Sequence, residues 1–165
     1  MNMTFPREYS VLTKAQVDIL TDAGVDLLKG ENERNNRAFE SASKNSVSLL
    51  VFAIKPLGTN ENAALEIVVR RQGKGVTANL LIVENVRVMT GTGTAVLKKS
   101  LNNSRLGTNT FAGAEFDMIV AGLKVKHRMY VIMKREHSLI IGLTYFTDEQ
   151  CRLLESALST LTFTK

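Results

Sequence analysis

Three strand-like runs followed by one short helix occupy residues 114–163, and this stretch constrains the fold more than any other part of the chain. Residues 129–133 and 139–143 are apolar at successive positions, which is typical of strands covered on both faces of a sheet. The connection at residues 135–137 is short, charged and free of proline. It predicts an antiparallel hairpin, whose register is placed to within a residue or two because no Asn-Gly or Asp-Gly pair marks the turn.

The final helix is predicted by its first turn. Thr147 and Gln150 have the spacing of a capping box, and Phe146 and Cys151 have that of a hydrophobic staple. Apolar residues then recur at helical spacing along one side: Cys151, Leu154, Ala157, Leu158 and Leu161. A helix with one apolar stripe buries that stripe, so we expect it to lie on the sheet.

The start of the chain repeats the same signal. Thr13 and Gln16 predict a second capping box, and Leu12 and Val17 a second staple. We therefore expect a first helix over about residues 14–29.

Further strands and one more helix are predicted between these two helices. Residues 5–11 have the pattern of a short edge strand, and residues 46–55 and 64–71 that of a hairpin. The remaining predicted elements are a helix at residues 77–89 and two strands at residues 94–98 and 105–111. Since hairpins dominate and no βαβ alternation occurs, we predict an α+β fold: an α/β/α sandwich with helices packed on the faces of an antiparallel central sheet.

Size and hydrophobic content are sufficient for one core. The chain has 165 residues, of which 44% are hydrophobic. A chain of this size buries roughly 70% of the surface that it exposes when unfolded. We therefore predict a single domain over residues 1–165.

The charge balance and the single cysteine bound the function classes only broadly. Twenty-one Lys and Arg against 16 Asp and Glu give a net charge of +5, mostly dispersed along the chain. One cysteine excludes an internal disulfide. The sequence has neither an apolar run of about 20 residues nor the apolar core of a signal peptide, so we expect a soluble protein without a membrane span. The expected compartment is cytoplasmic if Met1 is native, and extracytoplasmic if an export signal was trimmed.

The two histidines and the single cysteine are not placed to form a metal site or a catalytic group. We expect His127 to begin a strand and His137 to lie in the turn at its far end, so roughly 30 Å of extended chain separates them. This distance excludes a shared metal ion and favours two solvated positions. Cys151 begins a helix, where a thiol can be activated, but it faces the apolar stripe, so we interpret it as a core residue.

Glycine pairs and paired carboxylates are the other candidates. The glycines at residues 73–75 and 91–94 resemble phosphate loops, but neither pair is followed by Lys-Ser/Thr, so we interpret both as turns. Glu115 and Asp117 share one face of a strand, as an acid-base pair or a cation site requires, but no third ligand has matching spacing. We predict no catalytic residue, no metal site and no cofactor.

Positive charge is concentrated at one place. Lys124, Lys126 and Arg128 alternate along a predicted strand and so share one face, which makes a candidate basic contact patch. Single-stranded nucleic acid needs exposed aromatic side chains on such a patch, and only Tyr130 follows on that face. We therefore favour a solvated strand end and do not expect a nucleic-acid partner.

Four segments of the chain resemble the C-terminal half of PsbP-like domains: residues 111–116, 129–132, 139–145 and 158–163. That group includes the photosystem extrinsic subunit, the Ran-binding nuclear import factor, and bacterial DcrB-like and type VI effector-chaperone proteins. The resemblance implies an α/β/α sandwich that works as a binding or assembly module instead of an enzyme. The sequence matches no ion-ligating or partner-contacting motif of a named member, so no functional residue is implied.

The sequence thus predicts a non-catalytic domain that binds another protein, a hydrophobic peptide segment or a small ligand. Its contact region is expected on a helix-free part of the sheet, with the basic end around residues 124–128 as a second candidate. The competing prediction is a small hydrolase or ligand-modifying enzyme whose residues meet only in three dimensions.

Overall fold

The structure is a computed structural model that describes residues 1–4, 10–17, 37, 47–53, 61–91, 93–120 and 122–163. The strands are β1 (Ser10–Val11), β2 (Val47–Ala53), β3 (Ala64–Arg71), β4 (Ala95–Ser100), β5 (Ser104–Leu106), β6 (Asn109–Val120), β7 (Leu123–Lys134) and β8 (His137–Tyr145). The complete helices within the described part are α1 (Ala78–Gly91) and α2 (Asp148–Ser159).

All strand pairs in the described residues are antiparallel, in the order β1-β2-β3-β8-β7-β6-β4, with β5 paired to β6. The predicted hairpin near the C-terminus is β7 and β8, and Lys134 pairs with His137 across a two-residue turn. Arg135 in this turn has a φ of 56°, a left-handed conformation that turns often use. The antiparallel sheet with packed helices confirms the predicted α+β class.

Each face of the sheet carries its own apolar core. One face, called here the α2 face, joins α2 to side chains of β3, β7 and β8, among them Leu65, Tyr130 and Ile141. The opposite face, called the α1 face, joins α1 to side chains of β4, β6 and β7, among them Phe116 and Val131. Because neighbours along a strand point to opposite faces, the continuous apolar runs of β7 and β8 supply both cores, which confirms the predicted sandwich.

The capping box of α2 is formed as predicted. Thr147 Oγ1 accepts from the backbone N–H of Gln150, whose side-chain oxygen accepts from the N–H of Thr147. The predicted apolar stripe is buried on the α2 face. The predicted staple is wrong, since Phe146 packs into the core of the α1 face while Cys151 lies in that of the α2 face.

The beginning of the chain agrees with its prediction where it is described. The Thr13 and Gln16 capping bonds are formed, Leu12 packs on Val17, and residues 14–17 are helical. The rest of the helix predicted to residue 29 lies outside the described residues. β1 is an edge strand at the end of the predicted segment 5–11.

One predicted strand is divided in two. Residues 105–111 were expected to form a single strand, but the chain turns at Gly107, which separates β5 from β6. Gly107 has a φ of 59°, and a Cβ there would lie 2.0 Å from the backbone oxygen of Ser159. The end of α2 therefore fixes this turn through a contact far away in sequence, which local patterns do not contain.

Candidate functional site

The α2 face is only partly covered by the described elements. α2 packs over β8 and the cores of β3 and β7, and it leaves one end of the β4, β6 and β7 surface exposed. We call this surface the open face; its side chains are Val96, Lys98, Lys99, Asp117, Ile119 and Lys124. Val96 is 61% exposed and Ile119 is 55% exposed. Two large apolar side chains exposed among charged ones are typical of a contact site.

The open face exists because the β6–β7 hairpin is longer than its neighbour. β8 ends at Tyr145, which pairs with Lys126, and the chain then turns into α2. Among the described strands, residues 123–125 of β7 therefore pair with β6 alone, where Ile119 is directly opposite Lys124. The far end of the hairpin extends beyond β8 with Ile119, Leu123 and Lys124 exposed, while Val120 and Val125 pack into the core of the α1 face.

Beside the open face lies a network of ion pairs around Arg128. Its Nε donates to Glu115 Oε2 (2.6 Å), and its Nη1 donates to Glu155 Oε1 on α2 (2.7 Å). Tyr130 Oη donates to the same oxygen of Glu155 (2.5 Å). We call these four residues the arginine cluster. Each of the four side chains has a partner within the cluster, so the cluster joins α2 to the sheet and its opposite charges offset one another.

The pKa shifts of Arg128 and Tyr130 make both groups less able to give up a proton at neutral pH. Burial lowers the pKa of Arg128, but its hydrogen bonds to Glu155 and Glu115 outweigh burial and raise the pKa above its ordinary value. Burial, followed by the hydrogen bond to Glu155, raises the pKa of the Tyr130 hydroxyl. Arg128 thus stays charged and Tyr130 stays protonated at neutral pH.

The three residues of the predicted basic contact patch lie on one face, but their charges have different partners. Arg128 belongs to the arginine cluster, and Lys126 Nζ pairs with Asp148 Oδ1 at 2.9 Å. This hydrogen bond raises the pKa of Lys126 and lowers that of Asp148. Lys124 is exposed and makes no ion pair within the part of the chain that the structure describes. The role of these three residues as a contact patch stays a prediction.

Glu115 and Asp117 share the α2 face, as alternation predicts, but they do not act as a pair. Glu115 is held by Arg128, whereas Asp117 Oδ2 lies 3.3 Å from Lys98 Nζ. Each carboxylate is thus paired with its own cation. A general acid and a general base would instead face one shared substrate, so these two residues do not form such a pair.

Cys151 lies in the core of the α2 face and is 3% exposed, which confirms its interpretation as an apolar core residue. Burial raises the pKa of its thiol, and the charge of Glu155 adds to this effect. The thiol therefore stays protonated at neutral pH. His127 points to the α1 face, so the sheet lies between the two side chains.

The prediction that His127 begins a strand is wrong. It lies inside β7, where its ring contacts Phe116 and its Nδ1 is 3.0 Å from Thr144 Oγ1. Burial lowers its pKa from 6.5 to about 4, so the ring is neutral at pH 7. His137 is the first residue of β8 and is exposed, which agrees with a solvated position at the turn.

The described residues contain neither a metal-binding group of side chains nor a helix that could span a membrane. No group of three or more His, Cys, Asp and Glu side chains in that part of the chain is placed to hold a metal ion. None of the helices there is long and apolar enough to cross a bilayer. Gly75 and Gly93, from the two glycine pairs, have φ values of 80° and 74° and lie in turns.

Comparison with known proteins shows a similar fold but no family. No family model matches the chain, and no curated protein matches it significantly. PA94, a protein of unknown function from Pseudomonas aeruginosa, is 16% identical, with a TM-score of 0.51 over 73% of this chain and 83% of that chain. At this identity the match shows likeness of fold alone.

Two further solved structures are more distant. A protein from Bacteroides thetaiotaomicron is 14% identical with a TM-score of 0.47; this chain aligns over 99% of its own length and spans 44% of that protein. LpqN of Mycobacterium tuberculosis, described as involved in cell envelope biogenesis, is 11% identical with a TM-score of 0.44, over 96% of this chain and 78% of LpqN. Scores this low do not bear on function.

Proposed function

We propose that this protein is a non-catalytic binding domain, which contacts another protein or a hydrophobic peptide segment through the open face. The observation that carries the proposal is the exposure of Val96 and Ile119 on a part of the sheet that neither α1 nor α2 covers. Such side chains bury additional apolar area when a partner covers them. Charged residues around them form a polar rim, as at many interfaces between proteins.

The state of the titratable groups supports binding over hydrolysis. A hydrolase needs a nucleophile or base that is free to react and tuned toward neutral pH. Here the pKa of Cys151 and that of Tyr130 are raised, and Tyr130 and Arg128 are engaged within the arginine cluster. These groups fit a structural role in which they fix the orientation of α2.

We also propose that the chain is a single PsbP-like domain. The antiparallel sandwich is compatible with a single PsbP-like domain over the whole chain, whose members are binding or assembly modules. Supporting evidence is the fold itself together with the four sequence segments that resemble that group.

A comparative affinity experiment tests the proposal. The wild-type protein, Val96→Asp and Val83→Asp are each immobilised and incubated with an extract of the cells that produce the protein. Val83 is a matched control because it is also exposed (65%) but lies on α1, which packs on the opposite face. We expect a stoichiometric partner with the wild type and with Val83→Asp, and its loss with Val96→Asp. Equal recovery with all three proteins would contradict the proposal.

A further inference from the structure

The tip of the β6–β7 hairpin is apolar on both of its faces. Ile119 is 55% exposed on the α2 face, and Leu123 is 53% exposed on the α1 face. The sequence between them is Val120, Ala121 and Gly122, so no polar side chain interrupts the segment. Hairpin turns in water usually carry polar turn residues, so a projecting tip of this composition requires a cause.

The charge next to the tip is positive. Lys124 follows Leu123 directly, and neither Lys124 nor Lys99 on β4 makes an ion pair with another of the described residues. The nearby carboxylates of Asp117 and Glu115 are each paired with a basic side chain. Among the described residues around the tip, the unbalanced charge is thus cationic, in a chain whose net charge is +5.

We propose that this hairpin tip inserts into the interface of an anionic lipid bilayer, with Ile119 and Leu123 among the acyl chains and Lys124 at the headgroups. The hairpin tip has exposed apolar side chains on two opposite faces. Insertion into a bilayer buries both faces at once, because lipid surrounds the tip. A flat protein surface would cover only one face. Cations close to the apolar residues are attracted to anionic lipid. This inference goes beyond the proposed function, because it assigns a contact with a different class of partner. Ile119 and Lys124 also belong to the open face, so lipid and the protein partner compete for these two side chains, whereas Leu123 serves the lipid contact alone.

The chain contains no tryptophan, which makes a direct spectroscopic test available. Leu123→Trp places a single indole at the tip, and Val83→Trp places one on α1 as the control. Each protein is mixed with vesicles of phosphatidylglycerol and phosphatidylcholine, and separately with vesicles of phosphatidylcholine alone. We expect the Leu123→Trp emission to shift to the blue and to be quenched by brominated acyl chains with the anionic vesicles. We expect neither change for Val83→Trp.

Vesicle flotation measures how much each single substitution in the native sequence lowers the partition coefficient of the protein on the vesicles. Leu123→Asp is expected to reduce the partition coefficient at least about tenfold, because it removes an apolar side chain and adds a charge. Lys124→Gln is expected to weaken binding to anionic vesicles about fivefold. Absence of wild-type binding to anionic vesicles at low salt would overturn the proposal. So would a Leu123→Trp shift that appears with a protein fraction of the extract and not with vesicles.

The two proposals can fail separately. Val96 lies on β4 opposite Asp117, on the same face as Ile119, whereas Leu123 points to the other face of the hairpin. If both hold, Val96→Asp abolishes recovery of the protein partner and keeps vesicle binding, whereas Leu123→Asp does the reverse. Loss of vesicle binding with Val96→Asp and not with Leu123→Asp would contradict the insertion of the tip.

Discussion

The imidazole ring of His127 occupies the space beside Gly142, on the neighbouring strand, where a side chain would otherwise lie. A Cβ added at Gly142 would be 3.0 Å from Cε1 of the ring and 3.5 Å from Nε2. The absence of a side chain at residue 142 therefore creates the space in which the histidine lies against the α1 face. Two predictions concern this pair.

The first prediction is that Gly142→Ala destabilises the protein by about 1–2 kcal/mol, since the added methyl group overpacks against the ring. Urea denaturation gives the free energy of unfolding. Gly73→Ala is the control, because nothing lies within 4 Å of a Cβ there. In a His127→Ala background the cost of Gly142→Ala should disappear. An equal cost in both backgrounds would show that the ring is not responsible.

The second prediction concerns acid. The pKa of His127 in the folded protein is about 4, against 6.5 ordinarily, so between these values the unfolded state binds more protons. Stability is therefore complete above about pH 6.5 and decreases as the pH falls toward 4. The loss from this residue between pH 7 and pH 5 is about 2 kcal/mol.

Denaturation of His127→Gln across this pH range measures the effect. The variant should lose less stability than the wild type between pH 7 and pH 5, whereas His137→Gln, at an exposed position, should follow the wild type. Parallel curves for all three proteins would contradict the assignment.

The third prediction concerns the arginine cluster. Arg128→Ala leaves Glu115 and Glu155 without their cation, and the expected destabilisation is about 2 kcal/mol, below the range for fully buried pairs because the Arg128 side chain is 27% exposed. Lys126→Ala, which breaks an exposed ion pair, should have a far smaller effect. Thermal or urea unfolding compares the two variants, and equal effects would mean that the cluster does not hold α2 to the sheet.

The fourth prediction concerns the edge of the sheet. β4 is the last strand in the order of the described sheet. It carries the exposed residues Lys98 and Lys99, and its register shifts between Leu97 and Lys99. Lysines and bulges oppose pairing between edges of different molecules. The double substitution Lys98→Val and Lys99→Val should therefore promote self-association, measured by light scattering after size exclusion. Lys74→Val, in an exposed turn, should leave the mass unchanged; the same mass for both variants would exclude this role.

The fifth prediction concerns Cys151. Its buried, protonated thiol should react with a thiol reagent in the native protein much more slowly than in urea. Reaction of the native protein at the rate of an unfolded thiol would mean that Cys151 is accessible and would reopen the hydrolase alternative.

The elements predicted correctly are those whose signals lie close together in the chain. The Thr147 capping box, the stripe of α2 and the β7–β8 hairpin each depend on residues a few positions apart. The turn at Gly107 was missed because its cause is the end of α2, more than fifty residues away.

The position of His127 was missed for a related reason. The charges of Lys124, Lys126 and Arg128 resemble the end of a strand, but β7 begins at Leu123. It continues through them because Glu115 on β6 and Asp148 and Glu155 on α2 neutralise two of the three cations. Alternation alone assigns His127 to the face opposite these cations. The alternation in the sequence therefore already indicated the face of His127, but this indication was not used because the strand was predicted to begin at His127.

Site-specific photo-crosslinking in the producing cells tests the central claim most directly. A photoreactive phenylalanine analogue replaces Val96 on the open face in one variant and Val83 on α1 in another. The proposed function predicts a discrete crosslinked partner from residue 96 and none from residue 83. Crosslinks from residue 83 alone, or from neither residue, would contradict the open face as the contact surface.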